Sequence, residues 1–283
     1  MDEKKLTKQL RRITAITIIG SLLLSAIGFG IFGYIMKSAH EAEHAQLQAE
    51  ATEYRGRLLR QMDKNMQILT TLSKAYEVSA ITDDPEQLGQ SLMETNAAND
   101  FVSMVYMRED GNGMMHTTFS GELEIITMDD LHPYAVEVVE SALQGKNAVS
   151  KIFRSDVLDE KLFVYAVPVY DNGKVVGALA AGDTIDIFTE ATDGKTVMGG
   201  ACYLHLIADN GMFLVRSENT LVDEKMKNIY DGNILSEQTK EEVRAALEKG
   251  EPVSGEYTYN DTRIHFYMVP LDINGWYLFC ANQ

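Results

Sequence analysis

The chain is poor in residues that staple or punctuate a fold. It has two cysteines and no C-x-x-C pair, which excludes a disulfide scaffold. Five prolines in 283 residues exclude a proline-rich linker architecture. Positive charge is scarce: 25 Lys and Arg against 42 Asp and Glu give a net charge of −17, which repels polyanions and argues against nucleic acid as a partner. Enzyme signatures are missing too. There is no G-x-S-x-G, and Gly194-Lys195-Thr196 ends like a phosphate loop but has Thr189 where the first glycine belongs. Neither cysteine has a helix start or basic neighbour to activate it. No catalytic residue, metal or cofactor is expected.

Long apolar runs are also rare, with one exception. Residues 13–36, ITAITIIGSLLLSAIGFGIFGYIM, carry no charge, and at 1.5 Å per residue they are long enough to cross the ~30 Å hydrocarbon core. Lys4, Lys5, Lys8, Arg11 and Arg12 precede the run, so the positive-inside rule puts 1–12 in the cytoplasm and 37–283 outside. A cleaved signal peptide would have a shorter core and a small-residue cleavage site, which Tyr34-Ile35-Met36 does not supply. GFGIFG within the run matches a dinucleotide fingerprint, but no strand precedes it. Ala26, Gly30 and Gly33 share a face on which two such helices could pack.

Residues 37–80 contain no proline and one glycine. Leu47, Ala51, Tyr54, Leu58, Met62, Met66, Leu69, Leu72 and Tyr76 recur at steps of three and four, which predicts a long stalk helix with a coiled-coil-like seam and a homodimer through it. Asp83-Asp84-Pro85 predicts the helix end and the next helix start. At the foot of the stalk lies HEAEH, residues 40–44, whose histidines stand one helical turn apart like the pair in zinc proteases. A zinc hydrolase also needs a third ligand and a walled cleft, and no folded segment precedes this helix to build one. An exposed turn of the stalk is the plainer reading.

The remaining residues hold an internal repeat. FVSMVYMREDGNGMMHT (101–117) resembles CYLHLIADNGMFLVRS (202–217), each an apolar strand, a glycine-containing turn and a second strand. AVEVVESALQGKNAVS (135–150) resembles EEVRAALEKGEPVS (241–254), each a short helix ended by glycine. KLFVYAVPVYDNGKVVGALAAGDTI (161–185) resembles RIHFYMVPLDINGWYLFCA (263–281). The predicted class is α+β: a membrane-anchored helix followed by two antiparallel-sheet modules with helices packed on them, at 81–192 and 193–283.

In this order the segments resemble the double Cache family, the extracytoplasmic sensors of bacterial receptors built from two PAS-like modules in tandem. The resemblance rests on the long helix leaving the membrane, the tandem repeat, and strand endings such as GKVVGALAAGDTI and INGWYLFCA. It implies a ligand pocket in the first, membrane-distal module, a membrane-proximal second module, and beyond residue 283 a second membrane helix leading to a diguanylate cyclase, histidine kinase or chemoreceptor output. It also implies neighbouring positions for the strands carrying Cys202 and Cys280, for which two free thiols are expected, with an extracellular disulfide as the alternative. Small amines and amino acids are often held in this family by an Arg-x-Trp-Tyr run and an Asp after the last strand. Asp183 matches that Asp, with a helix cap as its competing role. Of the run, at LHPY, only Tyr134 matches; Leu131 replaces the arginine and Pro133 the tryptophan. The amino-acid carboxylate therefore loses its anchor. Arg154, Asp156, His116, Tyr106 and Tyr165 complete the candidate pocket, with an amine or small organic acid as expected ligand. Core packing competes for both tyrosines, and an ion pair with Asp156 or Asp159 competes for Arg154. The alternative function is an anchored partner-binding protein.

Overall fold

A computed structural model describes residues 3–78, 84–99, 101–156, 159–190, 202–216, 225–232 and 234–282. It divides into two compact units, Met1–Ala49 and Glu50–Gln283. Asp83, the Gly194-Lys195-Thr196 run and the expected module boundaries at 80/81 and 192/193 lie outside the described residues.

The first unit is helical throughout its described part. Helix α1 runs unbroken over Glu3–Val78, as expected where no proline removes a backbone donor. Leu22, Leu24, Ile27, Phe29, Phe32 and Ile35 are all exposed on it. Large apolar side chains on every face suit a lipid environment, and this helix is long and apolar enough to cross a membrane. Farther along, His40 and His44 stand edge to face with ring centroids 4.7 Å apart.

The second unit opens with the rest of α1. Asp84 then caps α2 (Pro85–Asn99): its Oδ1 accepts from the backbone N–H of Glu86 at 3.0 Å and of Gln87 at 3.3 Å. These donors hold the Asp84 carboxyl below its usual range. Strands β1 (Ser103–Arg108), β2 (Asn112–Thr117) and β3 (Leu123–Thr127) follow, then α3 (Pro133–Leu143). Two short strands, β4 (Ala148–Val149) and β5 (Phe153–Arg154), lead to the long hairpin β6 (Lys161–Asp171) and β7 (Lys174–Thr184). Its turn sets Asn172 at φ 48° and Gly173 at φ 81°, the left-handed pair that a tight hairpin requires. After α4 (Asp186–Glu190) come β8 (Cys202–Ile207), β9 (Phe213–Arg216), α5 (Glu237–Lys249), β10 (Val253–Tyr259), β11 (Thr262–Pro270) and β12 (Tyr277–Asn282).

The strands form two antiparallel sheets. One is ordered β3-β2-β1-β7-β6-β4 with β5 also on β6, the other β10-β11-β12-β8-β9. Apart from β3 and β5 the two orders are the same: each opening hairpin joins the sheet through its first strand to the last strand of the repeat. The repeat read from the sequence is therefore a repeat of topology. Cys202 faces Asn282 across the β8–β12 pair and Cys280 faces Leu204. Cys280 is buried, and the Cys202 side chain lies outside the described residues.

Each sheet buries one face under the helix of its own repeat. Ala135, Val138, Val139 and Ala142 of α3 pack on Val105, Leu162, Val164 and Ala180. Val243 and Leu247 of α5 pack on Ile264, Phe266 and Phe279. The opposite face of the first sheet is covered by α1 and α2. Tyr76 of α1 stacks on Tyr106 of β1 with centroids 6.1 Å apart, and Asn65 of α1 donates to Asp183. Arg55 of α1 reaches the second repeat, donating from Nε to the Pro270 carbonyl at 2.6 Å. The 51–76 part of the stripe read as a dimer seam is thus already used. Ala51, Tyr54, Leu58, Met62, Leu69 and Tyr76 are buried in the single chain. A helix lying on a sheet needs the same three-and-four spacing as a coiled coil, so spacing alone does not separate the two.

Candidate functional site

Between α3 and the strand face beneath it lies a cavity of about 330 Å³. Strand alternation decides what reaches it. On β1 it is Ser103 and Val105, on β2 Met115 and Thr117, and on β6 Leu162 and Val164, while β7 contributes the consecutive small residues Ala180, Ala181 and Gly182. Gly182 faces Ser103 across the β1–β7 pair, and a Cβ on it would stand 2.4 Å from the Ser103 hydroxyl oxygen.

The polar groups gather at one end. His132 is the N-cap of α3, and its Nδ1 accepts from the Tyr134 backbone N–H at 3.2 Å. The ring also stacks on Phe153 of β5, with centroids 4.0 Å apart and 9° between planes. With Nδ1 accepting, Nε2 carries the proton of the neutral ring and is the donor left to the site. Asp130 ends the turn before α3; its Oδ2 accepts from the Thr127 backbone at 2.7 Å and the Thr127 hydroxyl at 2.8 Å. These bonds hold its carboxyl below the usual range, so it is ionised at neutral pH. Ser155 and Asp156, just past β5, complete this end. No lysine or arginine is among the described lining residues. The site therefore presents apolar walls, an aromatic plate and carboxylates.

Of the residues singled out from the sequence, Asp156 lines this cavity. Tyr134 sits beside it, its ring 5.3 Å from His132 and 6.5 Å from Phe153, with the Lys151 ammonium 5.7 Å from its centroid. Four others lie on the opposite face of the sheet, toward α1 and α2. Tyr106 is fully buried against Tyr76. His116 bonds through Nδ1 with Asn96 of α2 at 2.9 Å. Asp183 accepts from the Asn65 amide at 2.8 Å. Tyr165 is buried nearby; burial first, and then the Asp183 charge, push its phenol up. Each of the four is one residue out of step with a cavity-lining neighbour: Val105, Thr117, Gly182 and Val164. At the start of α4 the Asp186 backbone N–H donates to Thr184 Oγ1 at 3.4 Å. Arg154 is exposed and gives both Nε and Nη2 to Asp159 Oδ1, at 2.9 and 2.7 Å, the competing ion pair weighed from the sequence. Sequence reasoning missed Asp130, His132 and Phe153. The signal for them was the LHPY run itself, where a proline at the first helical position makes His132 the cap.

The sequence pattern of the Cache domain family, in its double form, matches residues 35–282. The chain belongs to that family. Solved structures agree on the fold. The sensory domain of the Campylobacter jejuni chemoreceptor Tlp3 (CcmL) superposes with a TM-score of 0.63 at 12% identity, over 82% of this chain and 90% of its own. The ligand-binding domain of the Pseudomonas aeruginosa PAO1 amino acid chemoreceptor PctC, in complex with GABA, gives 0.60 at 17% identity, over 84% and 98%. The extracellular domain of the putative histidine kinase soHK1S-Z6 gives 0.62 at 16% identity, over 86% and 95%. A comparison with curated protein sequences yields no match. This Cache chain is an extracytoplasmic sensing module, and its relatives are sensory ligand-binding domains.

Proposed function

We propose that the cavity under α3 binds a small amine with an apolar body. The observation that carries this reading is the charge of the lining: Asp130 and Asp156 with His132, and no lysine or arginine among the described residues. An ammonium gains charge-assisted hydrogen bonds from such carboxylates, and Phe153 offers its cation a ring face. A ligand carboxylate would meet like charge. That separates this site from relatives solved with isoleucine or GABA, and agrees with Leu131 and Pro133 standing where the family run has arginine and tryptophan. Asp156 and Asp130 are the proposed ammonium partners and His132 Nε2 the proposed donor. The residues themselves perform no catalysis on this reading. Residues 1–12 lie in the cytoplasm and 37–283 outside, and 81–192 and 193–283 are the distal and proximal modules. A homodimer carries ligand closure to an output across the membrane. With the 51–76 stripe buried, the dimer contact falls to other faces of α1.

The test is a melting-midpoint screen on the purified chain in detergent. Isobutylamine and phenethylamine are set against isobutyrate, phenylacetate, valine and phenylalanine. Amines should raise the midpoint and acids should not, and Asp156→Asn should remove the amine effect. Stabilisation by the acids instead would overturn the reading. Metal analysis of the same sample addresses a hydrolase at HEAEH, which requires one tightly held zinc per chain.

A further inference from the structure

The two repeats part company at one turn. Val167-Pro168-Val169-Tyr170-Asp171-Asn172-Gly173 of the first aligns with Val269-Pro270-Leu271-Asp272-Ile273-Asn274-Gly275 of the second. Both Asn-Gly pairs are left-handed, at φ 48° and 81° in the first and 51° and 69° in the second. The first closes a tight hairpin: Asp171 faces Lys174, and the Asn172 amide donates locally, to Asp171 Oδ1 at 2.9 Å. In the second the ladder ends earlier, at the Pro270–Tyr277 pair, and Asp272 is left-handed as well, at φ 60°. The opened turn, residues 271–276, is bonded to the first module instead. Asn274 Nδ2 donates to the Val149 carbonyl at 3.0 Å and to the Ser150 carbonyl at 2.9 Å. Trp276 is buried against Phe163 of β6 and Phe188 of α4.

The partners on each side give this turn its consequence. Ser150 is tied to Val164 twice: its N–H donates to the Val164 carbonyl at 2.8 Å, and its Oγ accepts from the Val164 N–H at 2.8 Å. Val164 lines the amine cavity, and Phe153, a short step beyond Ser150, is its aromatic plate. On the other side, Arg55 of α1 donates from Nε to the Pro270 carbonyl at 2.6 Å and from Nη2 to Asp272. The Asp272 side chain is largely exposed, so the Pro270 carbonyl is the firmer hold. We propose that the 271–276 turn is a latch that couples the cavity wall to α1, with Asn274 as its positioning residue. The proposal rests on the amine reading for the ligand that moves the wall. One amide bonded to two successive carbonyls fixes the Val149–Ser150 backbone to the turn, so a wall displaced by ligand displaces the turn and strains the Arg55 anchor. A free Asn-Gly hairpin, such as the first repeat has, makes no such connection.

The experiment uses the full chain in detergent, as wild type and as Asn274→Gly, which tolerates the left-handed backbone and removes the amide donors. Isobutylamine is the probe and isobutyrate the control. Binding is read as a rise in melting midpoint by circular dichroism. Movement of the turn is read as a change in emission of Trp276, the only tryptophan. The expected result is a midpoint rise in both proteins and an emission change in wild type alone. An equal emission change in both, or none in wild type despite the midpoint rise, overturns the latch. No midpoint rise in wild type overturns the amine reading instead, and a measurement without ligand then decides the latch. Asn274→Gly, Arg55→Met and the double variant are melted in parallel. If the turn joins the two anchors, the double variant loses less midpoint than the two single losses added together. A full sum means the anchors act independently, and it overturns the latch.

Discussion

Truncating Leu58 to alanine separates two accounts of the long helix. If the stripe Ala51–Tyr76 packs on the chain's own sheets, the loss is intramolecular; if it were a dimer seam, the loss would depend on protein concentration. Leu58 is 3% exposed, and its neighbours one turn away, Tyr54 and Met62, are 7% and 2% exposed, so the site is closed on both sides. Removing a leucine from such a site costs the transfer energy of its methyl groups plus the cavity left behind, about 2–5 kcal/mol. Flanking side chains as large as these relax only partly into the gap, which places the expected cost near the middle, about 3 kcal/mol. For a unit of this size that lowers the melting midpoint by about 6–12 °C. Trp276 reports the unfolding directly, because it is buried against Phe163 and Phe188, with centroids 6.0 and 5.7 Å away. The measurement is run in detergent over a hundredfold range of protein concentration. The reasoning holds if the wild-type-to-variant difference stays constant across the range. It is refuted if the difference shrinks below about 1 kcal/mol or grows with dilution, since either result would put Leu58 outside an intramolecular core.

Other consequences can be checked alongside. Burial, and after it the Arg216 charge, hold His205 down to about 3 from 6.5. Between those values the unfolded chain takes up a proton that the folded chain refuses, so stability falls as pH drops from 6.5; His205→Phe should flatten the slope measured between pH 6.5 and 5 by chemical denaturation. The Tyr165 phenol is raised above its ordinary 10.0. The unfolded chain then ionises first, so stability should decline as pH rises above 10, and Tyr165→Phe should remove part of that decline in alkaline melts. Asn65→Leu, which deletes the donor to Asp183, should cost about 1–3 kcal/mol. A double-mutant cycle with Asp183→Leu should show a coupling of about 0.5–3 kcal/mol, and strict additivity would deny the contact. Ala180→Leu fills the floor of the cavity and should abolish the amine-induced midpoint shift while the chain still folds; a retained shift would place the amine elsewhere.

The parts of this molecule written in periodicity were readable. An uncharged run long enough for a bilayer, a three-and-four stripe and glycine-ended helices each follow from local geometry, and the repeated hairpins gave the two sheets. What periodicity did not carry lay one level up. Tyr106, His116 and Tyr165 were singled out as polar and aromatic side chains on strands, and Asp183 as the match to the family Asp. Yet strand alternation assigns their immediate neighbours to the cavity, and a one-residue change of phase moves a whole strand to the other face. Nothing in β1 or β6 marks the phase, because both faces are buried: one under α3, the other under α1 and α2. An antiparallel sheet wetted on one side would have announced it through alternating polarity. The helix stripe is ambiguous for a related reason, since burial against a sheet and burial against a second helix leave the same mark.

The same phase relation suggests how occupancy of the cavity reaches the long helix. Gly182 and Asp183 are consecutive on β7. Gly182 turns to the cavity and Asp183 to the Asn65 amide of α1. On the proposed reading, a ligand that presses on the β1–β7 floor shifts both residues, because they are joined by one peptide unit on a strand paired with β1. The displaced carboxylate either carries Asn65 with it or breaks a hydrogen bond that lies in a partly buried site. Either outcome changes the energy of one position of α1 on the sheet relative to another. That differential between two states is all a ligand needs to shift an equilibrium. Since α1 is one unbroken helix from Glu3 to Val78, the element biased at Asn65 is the same element that holds the apolar span.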